Sequence, residues 1–326
     1  MNSQGAIKKK TLINLLSILL CLTPFLLLTG PFLPDLSISI MGSVFLFIAL
    51  KERLWHYFNN NYSYFFLLFN TYLILRSIFS DHPYLSFESS LFYFRFYIFS
   101  LSVWFLLDNN LKLQQYFKYT LIVACIIVII DCFFQYIFGT NIIGIENYSA
   151  DRMTLTFNDK QSIGIYLVNF VPLLIGLVLM NSNLSKKNII LISLLLILMS
   201  IAIFLSGERT AIALLLFTSF LLFVGIKIKI RFKILIIFIS MFFILSILYF
   251  DENIKNRNIN YTFKQMNISS LSLNNMIFFS TAHEILFQTS WNIYKDNISK
   301  TPIVGVDFAF DEPLVSELVI PVDNES

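Results

Sequence analysis

Along residues 1–250, apolar runs of 18 to 22 residues alternate with short polar breaks. The hydrocarbon core of a bilayer is about 30 Å thick and takes roughly 20 helical residues to cross. Nine such runs occur, at 12–29, 33–50, 62–79, 90–107, 117–138, 163–180, 188–205, 209–226 and 233–250, and each predicts a transmembrane helix. The first, "TLINLLSILLCLTPFLLLTG", follows Lys8, Lys9 and Lys10 as the apolar stretch of a signal peptide would. No small-x-small cleavage site comes after it and eight further runs do, so it reads as a retained helix. The expected fold is all-α: a polytopic transmembrane bundle of about nine helices over 1–250, with 251–326 as an extracytoplasmic segment.

Composition strengthens that picture. Hydrophobic residues make up 57% of the chain, charged residues 13%, and the mean hydropathy is +0.74, values outside the range of ordinary soluble domains. The net charge of +3 comes from short basic clusters set between apolar runs. That distribution argues against a nucleic-acid partner. The 36 Phe residues are spread through every run, as lipid-facing filler would be.

The basic clusters also set a direction. With the amino terminus in the cytoplasm, Lys8, Lys9, Lys10, Lys51, Arg53, Lys112, Lys118, Lys186, Lys187, Lys227, Lys229, Arg231 and Lys233 fall inside. Only Arg152, Lys160 and Arg209 fall in outside loops. This is the positive-inside bias of a multi-pass membrane protein. Residues 251–326 reverse the balance, with 5 basic against 10 acidic residues. Their one amphipathic stretch is 282–297, ended by Pro302 and Gly305 in "SKTPIVGVD".

Ionisable groups inside a bilayer are costly and mark sites by default. Arg95 lies about 7 Å below the outer start of the run 90–107, and Asp131 about 10 Å below the outer end of 117–138. Arg76 lies near the outer end of 62–79. One reading has Arg76 snorkelling to the headgroups and Arg95 pairing with Asp131. The other joins these residues to Arg152 and Arg209 in an outward-facing basic cavity suited to a phosphate or pyrophosphate headgroup. Glu208 and Arg209 stand in "FLSGERTAIALL", a tight turn between two apolar runs on the same side. Arg209 could equally cap that turn and pair with Glu208 or headgroups.

The turn "LSGERTA" at 205–211 resembles the Arg-containing turn of the O-antigen ligase and polymerase-like family of envelope proteins. "DRMTLTFNDKQSIGIYLVNFVPLLIG" at 151–176 is similar to that family's outer loop, with Arg152, Phe157, Asp159 and Gly164 in matching order. "FQTSWNIYKDNISKTPIVGVD" at 287–307 is similar to the passage that opens the family's large periplasmic loop, although Asp307 stands where its second Gly is expected. The resemblance implies transfer of a glycan from an undecaprenyl pyrophosphate carrier to lipid A core sugar or to another glycan chain, at the outer face of the bacterial inner membrane. By the resemblance Arg152 and Arg209 would hold the pyrophosphate; Arg95 and Arg76 join them as members of the outward-facing basic cavity, with Glu208, Asp159 and Asp131 as supporting residues. Arginines there would stabilise the leaving group's developing charge, and a general base would deprotonate the acceptor hydroxyl.

No metal or cofactor is expected. The family's essential His lies in a longer outer loop followed by about three more helices. Here the chain ends at Ser326, so the resemblance implies a truncated copy. His283, the only His of the tail, is a weak candidate for the missing base. Two other functions remain open: a transporter or flippase of a lipid-linked or anionic solute, and a noncatalytic envelope partner. Cys21, Cys125 and Cys132 fall inside apolar runs and read as packing residues. His56, between Trp55 and Tyr57, reads as an interfacial anchor, and His82, near Asp81 and Glu88, as a loop residue.

Overall fold

The computed structural model describes residues 3–79, 83–145, 153, 163–180, 186–225, 230–260, 287–292 and 295. Among these residues the regular structure is helical, with no strand. The helices are α1 (Ser3–Leu26), α2 (Phe32–Glu52), α3 (Asn61–Ile78), α4 (Pro83–Phe92), α5 (Phe94–Asn109) and α6 (Leu113–Phe138). After them come α7 (Ile163–Leu179), α8 (Lys186–Leu205), α9 (Arg209–Gly225), α10 (Ile230–Phe250) and the short α11 (Glu252–Lys255). Four helical stretches are long and apolar enough to cross a membrane: Lys9–Thr29, Phe32–Glu52, Pro83–Asn109 and Leu113–Phe138. Ile163–Val178, Ile190–Leu205, Arg209–Leu221 and Ile237–Tyr249 are shorter apolar stretches.

The run expected at 90–107 is longer than its hydropathy indicated. Helix begins at Pro83, whose missing N–H costs nothing in a first turn, and continues to Asn109 through a tightened turn at Tyr93. There the backbone bonds go three residues back, from Tyr93 N to Ser90 O and from Phe96 N to Tyr93 O. Ser86, Glu88, Ser89 and Ser90 dilute the apolar signal of α4, which is why the run appears to start late.

Two apolar clusters form the core. The first lies among α1, α2 and α5, where Met41, Phe45, Phe105 and Leu106 are fully buried. Helices α2 and α5 run parallel in close register: Asp35 meets Arg95, Met41 O accepts from Ser102 Oγ at 3.3 Å, and Phe45 packs on Phe105. Gly42 permits the approach, since a Cβ there would stand 3.3 Å from Ile98 Cγ2. The second cluster lies among α6, α7 and α8, around Leu121, Ile163, Leu167, Leu174 and Met199. Phe117 packs against both clusters, and Tyr166 of α7 donates to Pro24 O of α1 at 2.8 Å. One end of the first cluster carries a Lys9–Glu52 ion pair and a 2.9 Å bond from Tyr57 to Asp108. The candidate site lies at the opposite end of the bundle.

Candidate functional site

At that end the "LSGERTA" turn links α8 to α9. Gly207 takes φ +70, a conformation that a side chain would strain. Ser206 is buried, and its hydroxyl donates to Ile203 O at 2.7 Å. The reversal leaves the Glu208 carboxylate facing the first turn of α7. Gly164 N donates to Oε1 at 2.9 Å and Ile165 N to Oε2 at 3.1 Å. These N–H groups have no partner within their own helix, so Glu208 caps α7 from a different segment.

Gly164 makes this contact possible. A Cβ at 164 would meet Ser206 Oγ at 2.6 Å, Ala211 Cβ at 2.8 Å and Glu208 Cδ at 3.2 Å. Helices α7 and α9 therefore begin side by side, with the positive ends of both dipoles at one place. A carboxylate between two such ends is stabilising, and Glu208 supplies it. Arg209 is the first residue of α9 and is partly exposed beside this junction.

A second carboxylate lies in the neighbouring layer. Asp131 of α6 is buried, with 8% of its surface exposed. Its Oδ2 accepts from Gln135 Nε2 at 3.0 Å and its Oδ1 from Ile142 N at 2.9 Å. The chain reaches Ile142 by turning at Gly139, which ends α6 at φ +75 with its N–H on Gln135 O. Asn141 then orders the loop: its Oδ1 accepts from Ile143 N at 3.1 Å and Ile145 N at 2.7 Å. Its buried Nδ2 has no partner among the described residues.

Between these features sits Cys132, its Sγ 3.5 Å from both Ala202 O and Met153 Sδ. Asp131 and Glu208 both lie within electrostatic range of that sulfur. Residues after α10 return to the same end, where Tyr136 donates to Asp251 Oδ2 at 3.0 Å and Asn258 Nδ2 to Phe204 O at 3.4 Å. Among the described residues, the result is a junction of α6, α7, α8 and α9 that combines two helix N-termini, Arg209, and two carboxylates that accept from N–H groups. An anion is the ligand that helix N-termini and a guanidinium favour.

No family model, curated protein or solved structure matches this chain.

Arg95 and Asp131, a pair in one of the two sequence-based readings, take different partners among the described residues. Arg95 Nη2 bonds Asp35 Oδ2 at 3.0 Å, and its guanidinium lies 4.9 Å from the Phe96 ring centre. The reason is packing: α5 lies along α2, whereas Asp131 belongs to the α6–α8 cluster. Arg76 donates from Nη1 to Phe79 O at 3.1 Å, a cation at the C-terminal end of its own helix. Arg152, Asp159 and His283 lie outside the described residues, as do Asp81 and His82. Met153, next in sequence to Arg152, is buried against Cys132. Among the described residues no group of three His, Cys, Asp or Glu side chains could hold a metal.

Asp35, Gln135, Asn141 and Ser206 were missed by the sequence reading. Asp35 had a signal, as a lone carboxylate opening an apolar run. Asn141, two residues after Gly139, carried the usual mark of a turn.

Proposed function

We propose that this chain is a lipid-linked glycan ligase or polymerase homologue of the bacterial inner membrane, and that the junction binds a polyprenyl pyrophosphate headgroup. In this reading the chain crosses the membrane nine times with its amino terminus in the cytoplasm, and the junction opens to the periplasm. Arg209 and Arg152 hold the pyrophosphate of an undecaprenyl-linked glycan, and the acceptor is lipid A core sugar or another glycan chain. The reading rests on one observation: Gly164 and Glu208, which belong to two separately quoted motifs, are in direct contact.

The chemistry follows from electrostatics. Glycosyl transfer from a lipid pyrophosphate expels a dianionic or trianionic leaving group, so its barrier falls where fixed positive charge meets the developing negative charge. The first turn of α9 and the Arg209 guanidinium supply that charge in a setting of low dielectric. Glu208 keeps the two helix ends together and occupies the α7 N–H groups.

Equilibrium binding of a short-chain polyprenyl pyrophosphate to the purified chain in detergent tests this without requiring turnover. Binding is expected, and Arg209→Ala should weaken it about ten- to a hundredfold, the worth of one charge-assisted contact. Absence of binding, or equal affinity in the variant, would overturn the assignment.

A further inference from the structure

The end of the bundle opposite the junction collects cations. The Lys9–Glu52 ion pair joins the start of α1 to the last residue of α2. It thereby brings two basic pairs to one corner, Lys9 and Lys10 from α1 and Lys51 and Arg53 from α2. The carboxylates at this end are engaged, Glu52 by Lys9 and Asp108 by the Tyr57 hydroxyl. Lys10, Lys51 and Arg53 are exposed and have no carboxylate partner among the described residues.

Arg53 is held there against the preference of its backbone. It stands at φ +54, the only residue other than glycine with positive φ among the described residues. It ends α2 in the left-handed turn where glycine is usual and a side chain is disfavoured. Lys51 already places a cation in the last turn of α2, so the helix end does not call for a second one. A guanidinium kept in that conformation points to a partner outside the chain.

What lies below the cations narrows that partner. Phe47 and Lys51 are four residues apart and share one face of α2, and Phe47, Leu50 and Trp55 are each more than half exposed. Helices α1 and α2 are long and apolar enough to cross a membrane, so this face looks into lipid while the cations and the indole stand at the headgroup level. A soluble anion would use the cations alone. A molecule that uses both carries a phosphate above acyl chains, and the surplus positive charge favours one with net negative charge.

We propose that this corner of α1 and α2 binds an anionic phospholipid, its phosphate held by Arg53 and Lys51 with Lys10 adjacent, and one acyl chain along Phe47 and Leu50. Arg53 contributes most to the preference, because a guanidinium gives two parallel N–H bonds to phosphate oxygens whereas an ammonium acts as a point charge. The site is separate from the junction and does not rest on the pyrophosphate reading.

The test is competition between phosphatidylglycerol and phosphatidylcholine of the same acyl chains for the purified full chain in detergent, with bound lipid counted by native mass spectrometry. Phosphatidylglycerol is expected to bind about tenfold more tightly. Arg53→Gly removes the charge and gives the turn the residue its backbone favours. The melting temperature should therefore hold or rise while the preference falls about fivefold, the worth of one cation beside an anionic headgroup. Lys51→Gln should lower it by a similar factor. Arg231→Gln alters an exposed cation on α10, which packs against α8, and should leave the preference unchanged. Equal binding of the two lipids, an unchanged preference in Arg53→Gly, an equal fall in Arg231→Gln, or displacement of phosphatidylglycerol by inorganic phosphate at matched ionic strength would each overturn the proposal.

Discussion

The Gly164 amide donates to Glu208 Oε1 at 2.9 Å across 44 residues of sequence, and a Cβ on residue 164 would stand 3.2 Å from the Cδ of the same side chain. The contact thus depends on a missing side chain at one partner and a carboxylate at the other. The other two close approaches to position 164, at 2.6 and 2.8 Å, come from Ser206 and Ala211 on the same turn. The start of α7 cannot retreat from one of them without losing the others.

Gly164→Ala should therefore lower stability by about 1–3 kcal/mol, the usual cost of overpacking. The control is Gly176 on the same helix, where an added Cβ meets nothing within 4 Å. Gly176→Ala should be neutral or stabilising by about 0.5–1 kcal/mol, because alanine favours helix. Apparent melting temperatures in detergent decide the point: the two substitutions should move in opposite directions.

Glu208→Ala removes both acceptors from the α7 N–H groups and should cost about 1–3 kcal/mol. Glu208→Gln keeps one oxygen and loses the charge between the helix ends, so it should fall between the variant and the unaltered chain. Hydrogen exchange at Gly164 and Ile165 is the direct readout. Faster exchange confined to the first turn of α7, graded Ala over Gln, is expected; unchanged protection in Glu208→Ala would show that the cap contributes nothing.

Arg95 and Asp35 hold α5 to α2 by a 3.0 Å ion pair. A double-mutant cycle with Arg95→Gln and Asp35→Asn should give a coupling of about 0.6 kcal/mol, the average for polar pairs between membrane helices. Either single change should cost more than the double change does beyond it, because each leaves one charge without its partner. Additive single effects would show that the pair is incidental.

Tyr57 lies between α2 and α3 and donates to Asp108 Oδ2 at 2.9 Å. Burial, then the hydrogen bond and charge of Asp108, push its phenol up to about 12. The folded state thus favours the neutral phenol. Its contribution is complete below the ordinary tyrosine value near 10 and is lost as pH rises toward 12. Lysines also titrate there, so Tyr57→Phe isolates the effect: the melting temperature of the unaltered chain should fall more between pH 9 and 11.5 than that of the variant.

Helical class and most element positions were legible because twenty-residue apolar runs have few other uses. One side of the junction was legible as well, since Glu208 and Arg209 stand out against apolar surroundings, whereas Gly164 carried a signal only through the family resemblance. Pairing was not. A sequence shows that Arg95 and Asp131 are each expensive in lipid; it does not show that α5 lies along α2, which hands Arg95 to Asp35. Nor does it show that a carboxylate can take neutral N–H groups as partners, as Asp131 takes Gln135 and Ile142 among the described residues. Charge complementarity suggests pairs, and helix packing decides the partners.

That arrangement gives Asp131 a role that can be separated from its charge. Asp131→Asn keeps an oxygen for Ile142 N and should cost less than the alanine substitution. Asp131→Ala strands the Ile142 N–H and should cost about 1–3 kcal/mol. If the carboxylate serves as a tether for the turn after Gly139, hydrogen exchange over 140–145 should be unchanged in Asn and fast in Ala. A carboxylate beside an anion site also opposes the anion, so under the pyrophosphate reading Asp131→Asn should bind the probe at least as tightly as the unaltered chain. Weaker binding in Asn with normal protection of the loop would instead make the charge itself part of the site, with a cation between Asp131 and the phosphates.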